Sequence, residues 1–122
     1  MACRYLQAQG LHLLERNYRC KLGEIDLVMR DAGSMVFVEV RYRRNNRFGS
    51  GAESVNRHKQ AKLIATALHY LQSNKAAAKS PARFDVISVS LQGMAEHRQD
   101  APGDTAGIQW IKNAFDATPW QG

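Results

Sequence analysis

The chain has 122 residues, enough for one domain with its own core. Its 17 Lys+Arg against 11 Asp+Glu give a net charge of +6, which favours a polyanionic partner: nucleic acid first, an acidic membrane surface second. No run of about 18 apolar residues is present, so no membrane span is predicted. The N-terminus lacks the apolar core of a signal peptide. Two isolated cysteines and four histidines without zinc-ligand spacing are typical of a cytoplasmic protein without structural zinc.

The first segment of the chain has helical periodicity. Apolar positions predict a helix over residues 2 to 16, with Leu6 and Leu13 among its anchors. Gly10 is its weak point, and the helix has an alternative end at Gly10–Leu11 before a short extended piece. Residues 18 to 20 are predicted to be a short strand that leads into the next segment.

The next segment alternates with the period of a β-hairpin. Residues 23–30 and 35–41 alternate apolar and polar side chains, and turn-forming residues separate them. Arg30 is then expected opposite Met35. One face carries an apolar set: Ile25, Leu27, Met29, Val36, Val38 and Val40. The other face carries Glu24, Asp26, Val28, Arg30, Phe37, Glu39 and Arg41.

This register places two carboxylates across from each other. Counting from the turn puts Asp26 opposite Glu39, and cross-strand Cβ atoms lie only ~4.5–5.5 Å apart. Like charges in that position repel unless a cation lies between them, and Glu24 and Arg41 flank the pair. The alternative to a metal site is a charged face that is simply exposed to solvent. The alternation of the side chains alone favours these two interpretations equally. Two apolar residues among the charges indicate partial burial and favour a metal site.

The rest of the chain predicts a sheet with helices on each side. In chain order the sequence predicts a basic loop (43–51), a helix capped by Asn56 and ending near Ser73, a connector (74–81), a strand (84–90), a polar loop (92–107), an edge strand (108–111) and a short final helix (112–116). The helix after Asn56 is long enough to cross between strands, so the strand at 84–90 is expected to run parallel to its neighbour.

These residues supply the groups that phosphodiester hydrolysis needs. A divalent cation held by carboxylates can activate water and stabilise charge on phosphate oxygens, and Mg²⁺ prefers a few carboxylates plus retained waters. Asp26, Glu39 and Arg41 provide carboxylates and a cation from adjacent strands. Basic residues for nucleic-acid contacts are Arg43, Arg44, Arg47, Arg57, Lys59 and Lys62. A solvated surface turn is the alternative for the basic loop.

Several motifs together resemble a known family. They are the segments RNYR at 16–19, GEIDL at 23–27, VFVEVR at 36–41, RFG at 47–49, Lys59, RFDV at 83–86 and WIKNAF at 110–115. In order and spacing they closely resemble the widespread bacterial YraN family, which is similar to archaeal Holliday junction resolvases.

The resemblance implies a restriction-endonuclease-like α/β fold over residues 1–122, a three-layer arrangement whose mixed central sheet is flanked by helices. The PD-(D/E)xK motif then falls on Asp26 and Glu39-Val40-Arg41. Asp26 and Glu39, with the Val40 carbonyl, are expected to hold Mg²⁺ or Mn²⁺, with position 41 as the basic residue. Glu24 is a third acidic candidate. Junction-cutting relatives act as dimers, so a homodimer is expected by analogy.

Two departures from the motif keep alternatives open. Position 41 is Arg instead of Lys, and arginine cannot serve as a general base. Related nucleases also carry a glutamate before the position of Ala2, where this sequence begins.

The first hypothesis is a metal-dependent endonuclease acting on DNA, branched DNA included. The second is a non-catalytic nucleic-acid-binding module that retains the fold, and a weaker third is a protein-interaction domain of a DNA-processing complex.

Overall fold

The structure, a computed structural model, describes residues 2–43, 56–90 and 107–115. Its elements are α1 (Ala2–Ala8), β1 (His12–Cys20), β2 (Gly23–Asp31), β3 (Ser34–Arg43), α2 (Arg57–Ser73), α3 (Lys75–Ala78), β4 (Ala82–Ser90) and β5 (Ile108–Phe115). Except for the backbone of Arg43 and for Gly107, the two predicted loops lie outside the described residues. Within the described ranges, no helix is long and apolar enough to cross a membrane.

The five strands form one mixed sheet in the order β1-β2-β3-β4-β5. β2 and β3 form the predicted antiparallel hairpin with Arg30 opposite Met35. α2 begins after Asn56, as predicted, and β4 runs parallel to β3, also as predicted. β1 and β5 are antiparallel edge strands. With α1 on one face and α2 on the other, this is a restriction-endonuclease-like three-layer α/β fold.

Each face of the sheet has its own apolar core. Under α2, the rings of Phe37 and Phe84 stack with centroids 5.6 Å apart, and Val28 is fully buried. Under α1, Leu6 packs with Met29 and the strands beside it. Because α2 covers Val28 and Phe37, the charged face of the hairpin is not a solvated ribbon.

The predicted helix over residues 2–16 is wrong beyond its first two turns. α1 ends at Ala8, Gly10 adopts a left-handed φ of +101°, and β1 occupies His12–Cys20. The alternative end at Gly10–Leu11 is confirmed, although the extended piece is nine residues long. Pairing along β2 satisfies the backbone groups of β1, and a tertiary partner of this kind outweighs weak local helix preference.

The predicted helix at 112–116 is also wrong, because β5 continues to Phe115. A register shift opposite Asp85 lets the strand continue, with Asn113 at a positive φ of 51°. The fully buried Asp85 carboxylate accepts hydrogen bonds from Asn113 N (2.9 Å), Trp110 Nε1 (2.9 Å) and Arg83 Nε (3.0 Å). Asp85 therefore holds β5 on β4. A second difference is α3, a short helix inside the predicted connector.

Candidate functional site

The two carboxylates of the hairpin meet where its regular pairing stops. The β2–β3 ladder runs from Asp31–Ser34 to Leu27–Val38. Beyond it, the Asp26 carboxylate accepts a hydrogen bond from the backbone N–H of Val40 at 2.8 Å. The alternation breaks here, because Leu27 packs under α1 whereas Ile25 packs under α2. The prediction that Ile25 shares the face of Leu27 is therefore wrong.

Asp26 lies in an environment that disfavours its charge. Burial raises the pKa of the Asp26 carboxyl from 3.8 to about 6; the Val40 N–H opposes this change, and the adjacent Glu39 carboxylate adds to it. The two neighbouring carboxylates therefore form a position on rigid strands that a cation would stabilise.

Two basic side chains face Glu39, whose residue is only 5% exposed. The Lys59 ammonium lies 2.7 Å from Glu39 Oε2, and Arg41 Nη1 lies 3.4 Å from the same oxygen. Arg41 comes from β3 itself, whereas Lys59 comes from the first turn of α2. Asn56 fixes that turn, since its side-chain oxygen accepts the backbone N–H of Lys59 at 2.9 Å.

The pair opens into a cleft of about 530 Å³ between the hairpin and α2. Its lining residues are Gly23, Glu24, Asp26, Glu39, Val40, Arg41, Asn56, His58, Lys59, Lys62 and Leu63. Gly23 has a φ of +155°, and a Cβ there would lie 2.9 Å from Thr66 Oγ1. Glycine therefore permits the close approach of α2 to β2 at the wall of the cleft.

A second cavity of about 460 Å³ lies beside the first and shares Asp26 and Val40 with it. Its other walls come from α1, β1 and β3, including Cys3, Arg16 and Tyr42. Asp26 therefore borders open space on both sides of the hairpin end.

Only some of the remaining predicted site residues line the cleft. Glu24 lines the cleft, but its carboxylate forms an ion pair with Arg19. Lys62 lines the cleft, and Arg57 is exposed at the start of α2 without lining it. The Arg43 side chain and the whole of Arg44 and Arg47 lie outside the described residues.

Sequence reasoning identified Lys59 only as a contact for nucleic acid and missed its ion pair with Glu39. A weak signal was present, because Asn56 predicts the start of α2 and places Lys59 in the first turn. The side of the sheet on which that turn lies could not be read from the sequence. His58 and Asn56 were likewise missed as lining residues.

The donor set fits a small, hard divalent cation. Two carboxylates converge, and Mg²⁺ commonly uses one or two carboxylates and keeps several waters. In the part of the chain that the structure describes, no group of three or more His, Cys, Asp or Glu side chains is arranged to hold a metal.

The three-layer arrangement and the β2–β3 hairpin together define a protein of the restriction-endonuclease-like fold class. The chain belongs to the family described as "Uncharacterised protein family UPF0102", whose profile matches residues 1–89. This is the YraN-type family, so the resemblance drawn from the sequence motifs is confirmed.

Close relatives share the same name. A "UPF0102 protein" of Nitrosococcus oceani is 49% identical over 115 residues, covering 94% of this chain and 85% of the relative. One from Pseudomonas savastanoi is 49% identical over 116 residues, covering 95% and 87%. Another from Stutzerimonas stutzeri is 45% identical over 117 residues, covering 96% and 89%. The similarity extends over most of the chain.

Proposed function

We propose that this protein is a Mg²⁺- or Mn²⁺-dependent endonuclease that hydrolyses phosphodiester bonds in nucleic acid, with DNA, including branched DNA, as the expected substrate. The observation that carries the proposal is the Asp26–Glu39 pair at the hairpin end, inside a cleft lined by cationic side chains. A net charge of +6 supports a polyanionic substrate.

The residues of the cleft divide the chemistry between them. Asp26 and Glu39 would hold the metal ion, which when bound would polarise a phosphate oxygen and activate a water molecule. The Arg41 guanidinium stays protonated and presents a planar fork of donors, so it binds phosphate oxygens and removes no proton. Lys62 extends the positive surface along α2.

A nucleic-acid-binding module without turnover is the second candidate. It is favoured by Arg41, since an arginine at the motif's basic position cannot act as a base. The two candidates share the fold and the basic surface, and they differ in whether a bound strand is cut.

Metal binding is tested by the midpoint of thermal unfolding during a Mn²⁺ titration. We expect Mn²⁺ to raise the midpoint of the wild type and to leave that of Glu39→Gln unchanged. Glu15→Gln is the matched control, because it makes the same chemical change at an exposed position of β1. A wild type that Mn²⁺ does not stabilise contradicts the proposed metal site.

Turnover is tested with labelled linear duplex, four-way-junction DNA and single-stranded RNA in Mn²⁺. Cleavage by the wild type and Glu15→Gln, lost in Glu39→Gln, supports the endonuclease. Binding without cleavage, unaffected by Glu39→Gln, supports the second candidate. Cutting two strands of a junction requires two sites, so the proposal includes a homodimer on junction DNA, which analytical ultracentrifugation of the complex would detect.

A further inference from the structure

The Lys59–Glu39 ion pair places a protein cation on one of the two carboxylates that are expected to hold the metal. We propose that the Lys59 ammonium is the built-in counter-ion of Glu39 in the metal-free protein, and that a divalent ion must compete with it for this carboxylate. This inference rests on the proposed function, because it concerns how the same site is loaded.

The geometry assigns this role to Lys59 over the other cation at Glu39. Lys59 Nζ is 2.7 Å from Glu39 Oε2, within the range of a strong charge-assisted hydrogen bond, whereas Arg41 Nη1 is at 3.4 Å. Both cations address the same carboxylate oxygen. The shorter contact is the one that a metal ion on that oxygen would have to replace.

Burial indicates which partner of the ion pair moves. The side chain of Glu39 is only 6% exposed, while that of Lys59 is 42% exposed. Glu39 stands on a central strand, and Lys59 ends in a flexible four-carbon stem. The carboxylate therefore stays in place, whereas the ammonium can move away from it within the open cleft.

Displacement of Lys59 would link metal loading to substrate binding. The released ammonium has three donors and stays on the wall of the cleft, because the Asn56 cap fixes the first turn of α2. A phosphate group entering beside the metal would meet it there. The amine would then come from Lys59 on α2, because β3 carries Arg41 instead of a lysine at the motif position.

The test measures Mn²⁺ affinity in the absence of nucleic acid, by isothermal titration calorimetry, together with the metal-free unfolding midpoint. The variants are Lys59→Met, Lys59→Gln and Lys59→Arg, with Lys62→Met as the matched control from the same cleft and helix. Lys59→Gln retains a hydrogen-bond donor without charge and serves as the second neutral variant should Lys59→Met fail to fold.

Removing the competing charge is expected to tighten Mn²⁺ binding. We expect Lys59→Met and Lys59→Gln to bind Mn²⁺ about tenfold more tightly than the wild type, which corresponds to about 1.4 kcal/mol. Their metal-free midpoints should fall, because the buried Glu39 carboxylate loses its nearest counter-ion. Lys59→Arg should resemble the wild type, and Lys62→Met should change the affinity much less than Lys59→Met.

The outcomes separate this inference from the proposed function. If Lys59→Met and Lys62→Met bind Mn²⁺ equally tightly, the inference is overturned and the metal site stands. Binding to the neutral Lys59 variants but not to the wild type supports the inference and contradicts a metal-loaded wild-type enzyme under those conditions. If no variant binds Mn²⁺, both are overturned.

Discussion

Neutralising Asp26 is expected to stabilise the metal-free protein at alkaline pH. In Asp26→Asn, the side-chain oxygen can still accept the Val40 N–H, which is 2.8 Å away in the wild type. The negative charge next to Glu39 is gone. Most substitutions of partly buried polar groups destabilise a fold, so a gain in stability would indicate that the charge of Asp26, partly buried and next to Glu39, costs stability in the metal-free protein.

The magnitude follows from the pKa of the Asp26 carboxyl, which burial raises from 3.8 to about 6. That difference corresponds to roughly 3 kcal/mol. The carboxyl is partly open to the cleft, so solvent screening reduces the effect to about 1–2 kcal/mol. For a domain of this size, that is a rise of roughly 3–8 °C in the unfolding midpoint.

The pH dependence has a definite sign. The folded protein binds the Asp26 proton more tightly than the unfolded chain, so the stabilisation from protonation is complete below about pH 3.8 and is lost as the pH rises through about 6. The advantage of Asp26→Asn should therefore be absent at pH 4 and full at pH 8.

The assay is urea unfolding of wild type, Asp26→Asn and Glu15→Gln in EDTA at pH 4, 6 and 8. Glu15 is exposed, so its neutralisation should change stability by only a few tenths of a kcal/mol at each pH. If Asp26→Asn is less stable than the wild type at pH 8, or if its advantage is the same at pH 4, the argument that the buried Asp26 charge costs stability fails. Saturating Mn²⁺ should then reverse the order by stabilising only the wild type and Glu15→Gln.

Three further substitutions test the framework of the site by urea unfolding. Gly23→Ala places a Cβ within 2.9 Å of Thr66 Oγ1 at a φ of +155° and should cost about 1–3 kcal/mol; unchanged stability would contradict the close approach of α2. Asp85→Ala leaves the Trp110 Nε1 and Asn113 N donors without their acceptor and leaves Arg83 paired with Asp31 alone, and it should cost about 2–5 kcal/mol; a loss below 1 kcal/mol would show that β5 does not depend on Asp85. Asn56→Ala removes the cap of α2 and should lower the free energy of unfolding by about 1 kcal/mol. Asn56→Ser, whose hydroxyl can still accept the Lys59 N–H, should retain most of the wild-type stability.

The sequence predicted the parts of the site that depend on local pattern. Alternation and turn residues determine the hairpin register, which is why Arg30 was expected opposite Met35 and is found there. Counting along that register was enough to bring Asp26 and Glu39 to neighbouring positions. Capping chemistry gave the start of α2 at Asn56, because the cap interaction is confined to four residues.

What the sequence did not predict depends on contacts between distant segments. β1 was partly assigned to a helix because its strand conformation depends on pairing with β2. The position of Ile25 depends on the break in alternation at Asp26, where a side-chain hydrogen bond from Val40 follows the end of the ladder. The contact between Lys59 and Glu39 spans 20 positions and requires the packing of α2 on the sheet.

The location of the acidic pair explains how the fold tolerates it. Asp26 and Glu39 lie immediately beyond the last regular pair of the hairpin, while fully buried residues such as Val28 and Val38 follow directly inward. Burial of such apolar side chains contributes about 1.5–3 kcal/mol each, which exceeds the 1–2 kcal/mol that the partly buried Asp26 charge beside Glu39 is expected to cost. The strands can therefore hold the two carboxylates close together without a metal, with Lys59 as a replaceable counter-ion. A site held in this way would bind a divalent ion without first having to fold around it. This predicts that Mn²⁺ changes the unfolding midpoint but not the far-ultraviolet circular dichroism of the folded protein.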